Sequence, residues 1–224
     1  MVESGLGFSY TISGMSSIKS QYMGDIMDTA LSRAADRLRI AQHILADLQL
    51  VERWRAFGMP IVVGAVAYGL VVTPDIDLEI YCDEPTIRDG FTVLRDCTLQ
   101  PRVYKARFAN ELEGPNQGLY WQLRYRHDNG QEWKIDMWSV RHSHPGPCSA
   151  ALIEPIKQAL TDETRQAILE LKEQTLLDNT LPRGSIHIYR AVLDDGIRNV
   201  DQFKIWLERN SITGLVTWIP KKHA

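Results

Sequence analysis

Val63-Gly64-Ala65-Val66-Ala67-Tyr68-Gly69 is followed closely by Thr73-Pro74-Asp75-Ile76-Asp77-Leu78-Glu79-Ile80-Tyr81. A tight glycine turn thus leads into Asp-x-Asp on a candidate strand, with nine residues between Ala65 and Asp75. Side chains alternate across a strand. Asp75, Asp77 and Glu79 therefore share one face, and Ile76, Leu78 and Ile80 the other. Downstream, Trp133-Lys134-Ile135-Asp136-Met137-Trp138 repeats the pattern, with Glu132, Lys134 and Asp136 alternating with Trp133, Ile135 and Met137. If these strands pair, three carboxylates converge. Such a cluster repels itself unless a cation enters it. Hard oxygen ligands of this kind suit two divalent ions that clamp the attacking and leaving oxygens of a phosphoryl transfer.

Outward from this stretch, hydrophobic residues at alternating spacings of four and three (Ala34, Leu38, Ala41, Leu45, Leu48) predict one helical face within a helix from about Asp25 to Phe57, ended by Gly58-Met59-Pro60. Pro60 to Val63 reads as a short strand, Gly64 to Gly69 as a turn or single helical turn, and Thr86 to Cys97 as a helix. Arg102 to Phe108 reads as a third strand. Gly118 to His127 and Gln131 to Trp138 form a predicted hairpin closed at Asp128-Asn129-Gly130. After His142 to Pro147 the pattern becomes purely helical: Ala150 to Leu160, Asp162 to Leu177, Ser185 to Asp194, and Val200 to Arg209 with Asn199 as N-cap. The expected plan is α+β. A flexible N-terminal arm (1–24) precedes a mixed-sheet α/β domain flanked by helices (25–145), and a helical C-terminal region (146–224) follows.

Composition narrows the partners. The net charge is −3, without a basic run, so a nucleic-acid backbone is the least expected partner. No apolar stretch is long enough to span a membrane, and the N-terminus lacks a secretory pattern. Cys82, Cys97 and Cys148 are few and odd in number, which points to a reducing, cytoplasmic setting.

Gly64-Ala65-x-Ala67-x-Gly69, Asp75-Ile76-Asp77-Leu78 and Ile135-Asp136-Met137 together resemble the DNA polymerase β-like nucleotidyltransferase superfamily, over roughly Ile61 to Trp138. Its smaller members include small-molecule adenylyltransferases and the minimal nucleotidyltransferases. The resemblance implies that Asp75 and Asp77 bind two Mg²⁺ ions and that Asp136 completes the site of the ion that activates the acceptor hydroxyl. It implies that the Gly64 turn holds a nucleoside triphosphate through backbone N–H groups. Ala65 stands where many members carry a phosphate-contacting Ser; Lys134, and Arg124 or Arg126 on the preceding strand, are the candidates to supply positive charge instead. The expected reaction is transfer of a nucleoside monophosphate, AMP from ATP first among the choices, to a hydroxyl of a small molecule or protein with release of pyrophosphate. The rival expectation is a non-catalytic module of the same fold that binds nucleotide or metal.

Several residues have plainer readings. Glu79 is expected on the cleft wall rather than on metal, although Glu79 and Glu132 are the carboxylates nearest in frame for a general base. His142, His144 and Cys148 fit no strong zinc spacing. Trp121, Trp133 and Trp138 are expected in the core, and Arg190 in an ion pair with an aspartate.

Overall fold

A computed structural model describes residues 29–182, 184–210 and 218–221. The expected arm, 1–24, lies outside the described residues. Helix α1 spans Ala30–Asp47, its first turn capped by the Thr29 hydroxyl accepting from the Ser32 N–H at 3.1 Å. The helical stretch foreseen to Phe57 breaks at Gln49, which is left-handed (φ 46°), and a short helix α2 resumes at Leu50–Arg55. A non-glycine residue in that region is costly. The turn it makes brings Leu48, Leu50 and Trp54 into the core together.

Strand β1 (Met59–Val63) leads through the single-turn helix α3 (Gly64–Tyr68) to β2 (Asp75–Cys82). Helix α4 (Ile87–Thr98), capped by Thr86, precedes the meander β3 (Val103–Glu111), β4 (Gly118–Arg126) and β5 (Glu132–Arg141). These strands form one mixed sheet in the order β1-β2-β5-β4-β3. Only the central β2–β5 pair is parallel; the other ladders are antiparallel.

The alternation read from the sequence has its physical counterpart in burial. Ile76, Leu78 and Ile80 of β2, Trp133, Ile135 and Met137 of β5, and Trp121, Leu123 and Tyr125 of β4 pack with α1, α2 and α4 in one hydrophobic cluster. The opposite face carries the acidic residues. A 3₁₀ turn (Ser149–Leu152) then opens the helical part: α5 (Ile153–Ala159), α6 (Asp162–Leu177), α7 (Ser185–Asp195) and α8 (Val200–Arg209). The Asn199 side chain accepts from the Gln202 N–H at 3.0 Å, so α8 starts at the foreseen cap. Ile168, Leu171, Ile188, Val192 and Phe203 of these helices form a second cluster with Tyr68 and Leu70. Helix α3 joins the two, since Val66 enters the first cluster and Tyr68 the second. The Gly64 turn is thereby held from both sides.

Candidate active site

The parallel β2–β5 register sets three rows across the sheet: Asp75 beside Lys134, Asp77 beside Asp136, and Glu79 beside Trp138. The three aspartates expected at the site therefore share one face of adjacent strands. The carboxylate of Asp77 lies against the Gly64 turn. Gly64 has φ +64°, and a β-carbon added there would stand 2.8 Å from Asp77 Oδ2, so only glycine fits beneath this side chain. Gly69 closes α3 in the same left-handed region (φ +70°).

Three donors hold Asp136. The Tyr120 hydroxyl and Gln122 Nε2 donate to Oδ1 at 2.7 and 3.0 Å, and Lys134 Nζ lies 2.9 Å from Oδ2. Lys134 Nζ is also 3.7 Å from Asp75 Oδ1, so its ammonium stands between two of the carboxylates. Burial raises the Asp77 carboxyl to about 6, and Asp136 and Asp75 push in the same direction. Lys134 and Lys172 oppose that rise without cancelling it. The cluster is thus short of positive charge.

Among the described residues, no three His, Cys, Asp or Glu side chains stand close enough to share one metal ion. The donor chemistry nonetheless fits Mg²⁺. The available ligands are hard carboxylate oxygens, Lys134 already places a cation between Asp75 and Asp136, and Asp77 carries uncompensated repulsion.

Of the residues expected to hold nucleotide, Gly64 and Ala65 form the first turn of α3, where no side-chain cap occupies the backbone N–H groups among the described residues. Arg124 sits directly opposite Lys134 on β4, one strand beyond the carboxylates.

Sequence reasoning missed Lys172. It is 5 % exposed on α6, donates to the Leu70 carbonyl at 2.7 Å and to the Tyr189 hydroxyl at 3.3 Å, and lies near enough to Asp77 and Asp75 to feel both. Burial pulls its ammonium down to about 8, while the two aspartates resist that shift. No sequence periodicity marks a buried lysine. Its signal exists only once α6 is docked.

Other expectations change. Trp138 is two residues from Asp136 and so stands on the acidic face, half-buried, with its ring centroid 5.0 Å from that of Tyr120. Of the three tryptophans expected inside, Trp121 and Trp133 are core. Glu79 is engaged away from the aspartates. It accepts from the Ser149 and Ala150 N–H groups at 2.7 and 3.0 Å and from the Tyr81 hydroxyl at 2.7 Å, which pins the start of the helical region to β2. Glu132 is engaged by Arg126 and Tyr104 at the exposed end of β5. His144 Nδ1 lies 3.3 Å from Cys148 Sγ, and His142 stacks on Tyr81 instead of joining them. The Arg190 guanidinium lies 5.7 Å over the Trp206 ring rather than against an aspartate.

This sheet with its flanking helices is like that of solved DNA polymerase β-like nucleotidyltransferases, and the likeness is one of fold. Among solved structures the chain is similar to a Cid1 poly(U) polymerase mutant bound to MgATP, with a TM-score of 0.54 and 12 % identity over 70 % of this chain and 50 % of that one. It is also similar to a cytoplasmic RNA terminal U-transferase, with a TM-score of 0.51 and 12 % identity over 70 % of this chain and 45 % of that one. The chain thus spans about half the length of these proteins. No family model matches the sequence, and no curated protein matches it. Among the described residues, no helix is long and apolar enough to cross a membrane.

Proposed function

We propose that this chain is a Mg²⁺-dependent nucleotidyltransferase that moves a nucleoside monophosphate from a triphosphate, with ATP the first candidate, onto an acceptor hydroxyl. One observation carries the reading. Asp75, Asp77 and Asp136 share one sheet face beside a glycine turn, with too little positive charge around them. Asp75, Asp77 and Asp136 would hold the metal, which would supply charge neutralisation at the transferring phosphate and a more acidic acceptor hydroxyl. The N–H groups of Gly64 and Ala65 face the triphosphate, and Lys134 and Arg124 offer it cationic contacts. The charge of Lys172 favours the ionised form of Asp77. Tyr120 and Gln122 fix the Asp136 carboxylate.

In the transfer, the acceptor oxygen forms a bond to the α-phosphorus. The bond from that phosphorus to the α–β bridging oxygen breaks, and pyrophosphate leaves with the bonding electrons. The hydroxyl proton passes to solvent, because Glu79 and Glu132 are both engaged elsewhere. Positioning and charge neutralisation carry the acceleration, as in phosphoryl transfer generally. The N-terminal α/β part (25–145) would provide these groups, and the helical part (146–224) would add the buried charge of Lys172, which acts on Asp77 and Asp75. The net charge of −3 suggested a small molecule or a protein as acceptor, but it averages over a surface on which charge is unevenly placed.

A second reading, a nucleotide- or metal-binding module without turnover, is favoured by two features. Ala65 offers no hydroxyl, and three donors already occupy Asp136. Turnover separates the readings. Label carried from an α-labelled triphosphate to an acceptor supports the transferase; calorimetric binding of ATP-Mg²⁺ without transfer supports the module.

A further inference from the structure

We propose that the open face of the sheet is the track of a single-stranded nucleic acid, which presents its terminal hydroxyl to the aspartate cluster. The proposal rests on the transferase reading and names its acceptor. In this reading the terminal 3′-oxygen bonds to the α-phosphorus, pyrophosphate leaves, and the strand grows by one nucleotide.

The rows that align the aspartates continue beyond them to the β3 edge. The first runs Asp75, Lys134, Arg124, Lys105. The second runs Asp77, Asp136, Gln122, Arg107. The third runs Glu79, Trp138, Tyr120, Ala109. Cations therefore lead away from the carboxylates on one side, and aromatic rings lie along the other. With neighbouring strands about 4.8 Å apart, Lys134 to Lys105 covers about 10 Å, room for more than one phosphate.

A β-bulge builds this track. The β3–β4 register shifts between Val103 and Lys105. Val103 is buried on the helix-covered face. Without the extra residue, Lys105 and Arg107 would follow it there by simple alternation. The bulge turns both onto the face of Arg124 and Gln122. Bulges often re-aim side chains in this way near functional sites.

The cations are also free to act. Among the described residues no carboxylate lies within ion-pair distance of Lys105, Arg107 or Arg124, whereas nearby Arg126 and Arg102 are paired with Glu132 and Asp128. Trp138 borders a cavity of about 200 Å³ shared with Asn116, His144, Pro147 and Cys148. That volume suits one base or sugar. A basic path flanked by aromatic faces is the arrangement that holds unpaired strands, through phosphate contacts on one side and base stacking on the other. An acidic protein would use the cations but not the rings. The net charge concealed this path, since its cations are spread over β3, β4 and β5 and form no continuous run in the sequence.

The test is fluorescence anisotropy with a short 5′-fluorescein single-stranded RNA of mixed sequence and a free 3′-hydroxyl, using the full chain. Lys105→Glu/Arg107→Glu changes two exposed side chains, and circular dichroism melting checks its fold. The track predicts about tenfold or greater loss of affinity in this variant. It also predicts a salt slope shallower by roughly 0.7 per lost phosphate contact. Lys105→Arg should bind as the wild type does. Trp138→Leu should weaken RNA binding while leaving any binding of the polyanion polyglutamate unchanged. Absence of RNA binding by the wild type overturns the proposal, as does unchanged binding by the double variant. So does displacement by polyglutamate as effective as by unlabelled RNA, or equal affinity for duplex RNA or a mononucleotide. Asp77→Asn separates the two layers. Retained RNA binding without turnover in any form of the protein would sink the transferase alone. Turnover on another acceptor without RNA binding would sink this inference alone.

Discussion

Asp77→Asn should make the metal-free protein more stable while abolishing transfer. The Asp77 carboxyl is raised from 3.8 to about 6, by burial first and then by Asp136 and Asp75. A group whose folded pKa exceeds its unfolded one costs stability when ionised. The cost is complete above about pH 6 and is relieved as the pH falls through the folded value toward the unfolded one near 3.9. Roughly two pK units correspond to about 3 kcal/mol at neutral pH. Asparagine keeps the shape and removes the charge, so most of that cost disappears. For a chain of this size each kcal/mol moves the melting temperature by roughly 2–4 °C, so a gain of about 5–10 °C at pH 8 without Mg²⁺ is expected. The wild type should gain stability relative to the variant between about pH 6 and pH 4. Mg²⁺ should raise the wild-type melting temperature at pH 8 and leave the variant nearly unmoved. Differential scanning fluorimetry across pH, with and without the ion, reads all of this. A variant that melts at or below the wild type at pH 8, with parallel pH profiles, would refute the electrostatic account of the cluster.

Lys134→Met removes the larger of the two cationic influences that hold Asp77 down. The acidic limb of the pH–rate profile should move to higher pH, and an unmoved limb would contradict the placement of this ammonium. Glu79→Gln should cost about 1–3 kcal/mol in urea unfolding, because the Ser149 and Ala150 N–H groups and the Tyr81 hydroxyl lose a charged acceptor. Once folded, its turnover should stay within severalfold of wild type; a loss of several orders of magnitude would return Glu79 to the chemistry. Ala65→Ser should tighten ATP-Mg²⁺ binding severalfold by calorimetry, through one charge-assisted hydrogen bond whose gross worth is about 1.5–3 kcal/mol. If affinity stays level and Lys134 and Arg124 are also dispensable, the Gly64 turn does not hold the triphosphate.

Much of the fold was open to reading from residue pattern because the signals were local. The Asp128-Asn129-Gly130 turn marked the β4–β5 hairpin, and alternation along Asp75–Ile80 placed the acid groups opposite the core face. The C-terminal helices followed from their spacing and from caps such as Asn199. The shared face of Asp75, Asp77 and Asp136 was likewise foreseeable. What escaped depends on tertiary register. The break at Gln49 needs the packing of Leu50 and Trp54 to explain it. Lys172 looks like any helical lysine until α6 docks beneath Leu70. The bulge beyond Val103 reverses the faces of Lys105 and Arg107, and a simple period of two cannot reveal it. At Trp138 two signals compete: its bulk and apolar character suggest burial, while its place two residues from Asp136 sets it on the acidic face.

The central claim is turnover at the aspartate cluster, and pyrophosphate release measured together with label transfer tests it most directly. The full chain is supplied with α-labelled triphosphates, Mg²⁺ and a panel of acceptors that includes single-stranded RNA, small hydroxyl compounds and the protein itself. The account predicts pyrophosphate in one-to-one ratio with labelled acceptor, lost on chelation and reduced by several orders of magnitude in Asp77→Asn. Calorimetric binding of ATP-Mg²⁺ by the wild type, with no pyrophosphate released to any acceptor in the panel, would contradict it and leave a binding module in its place.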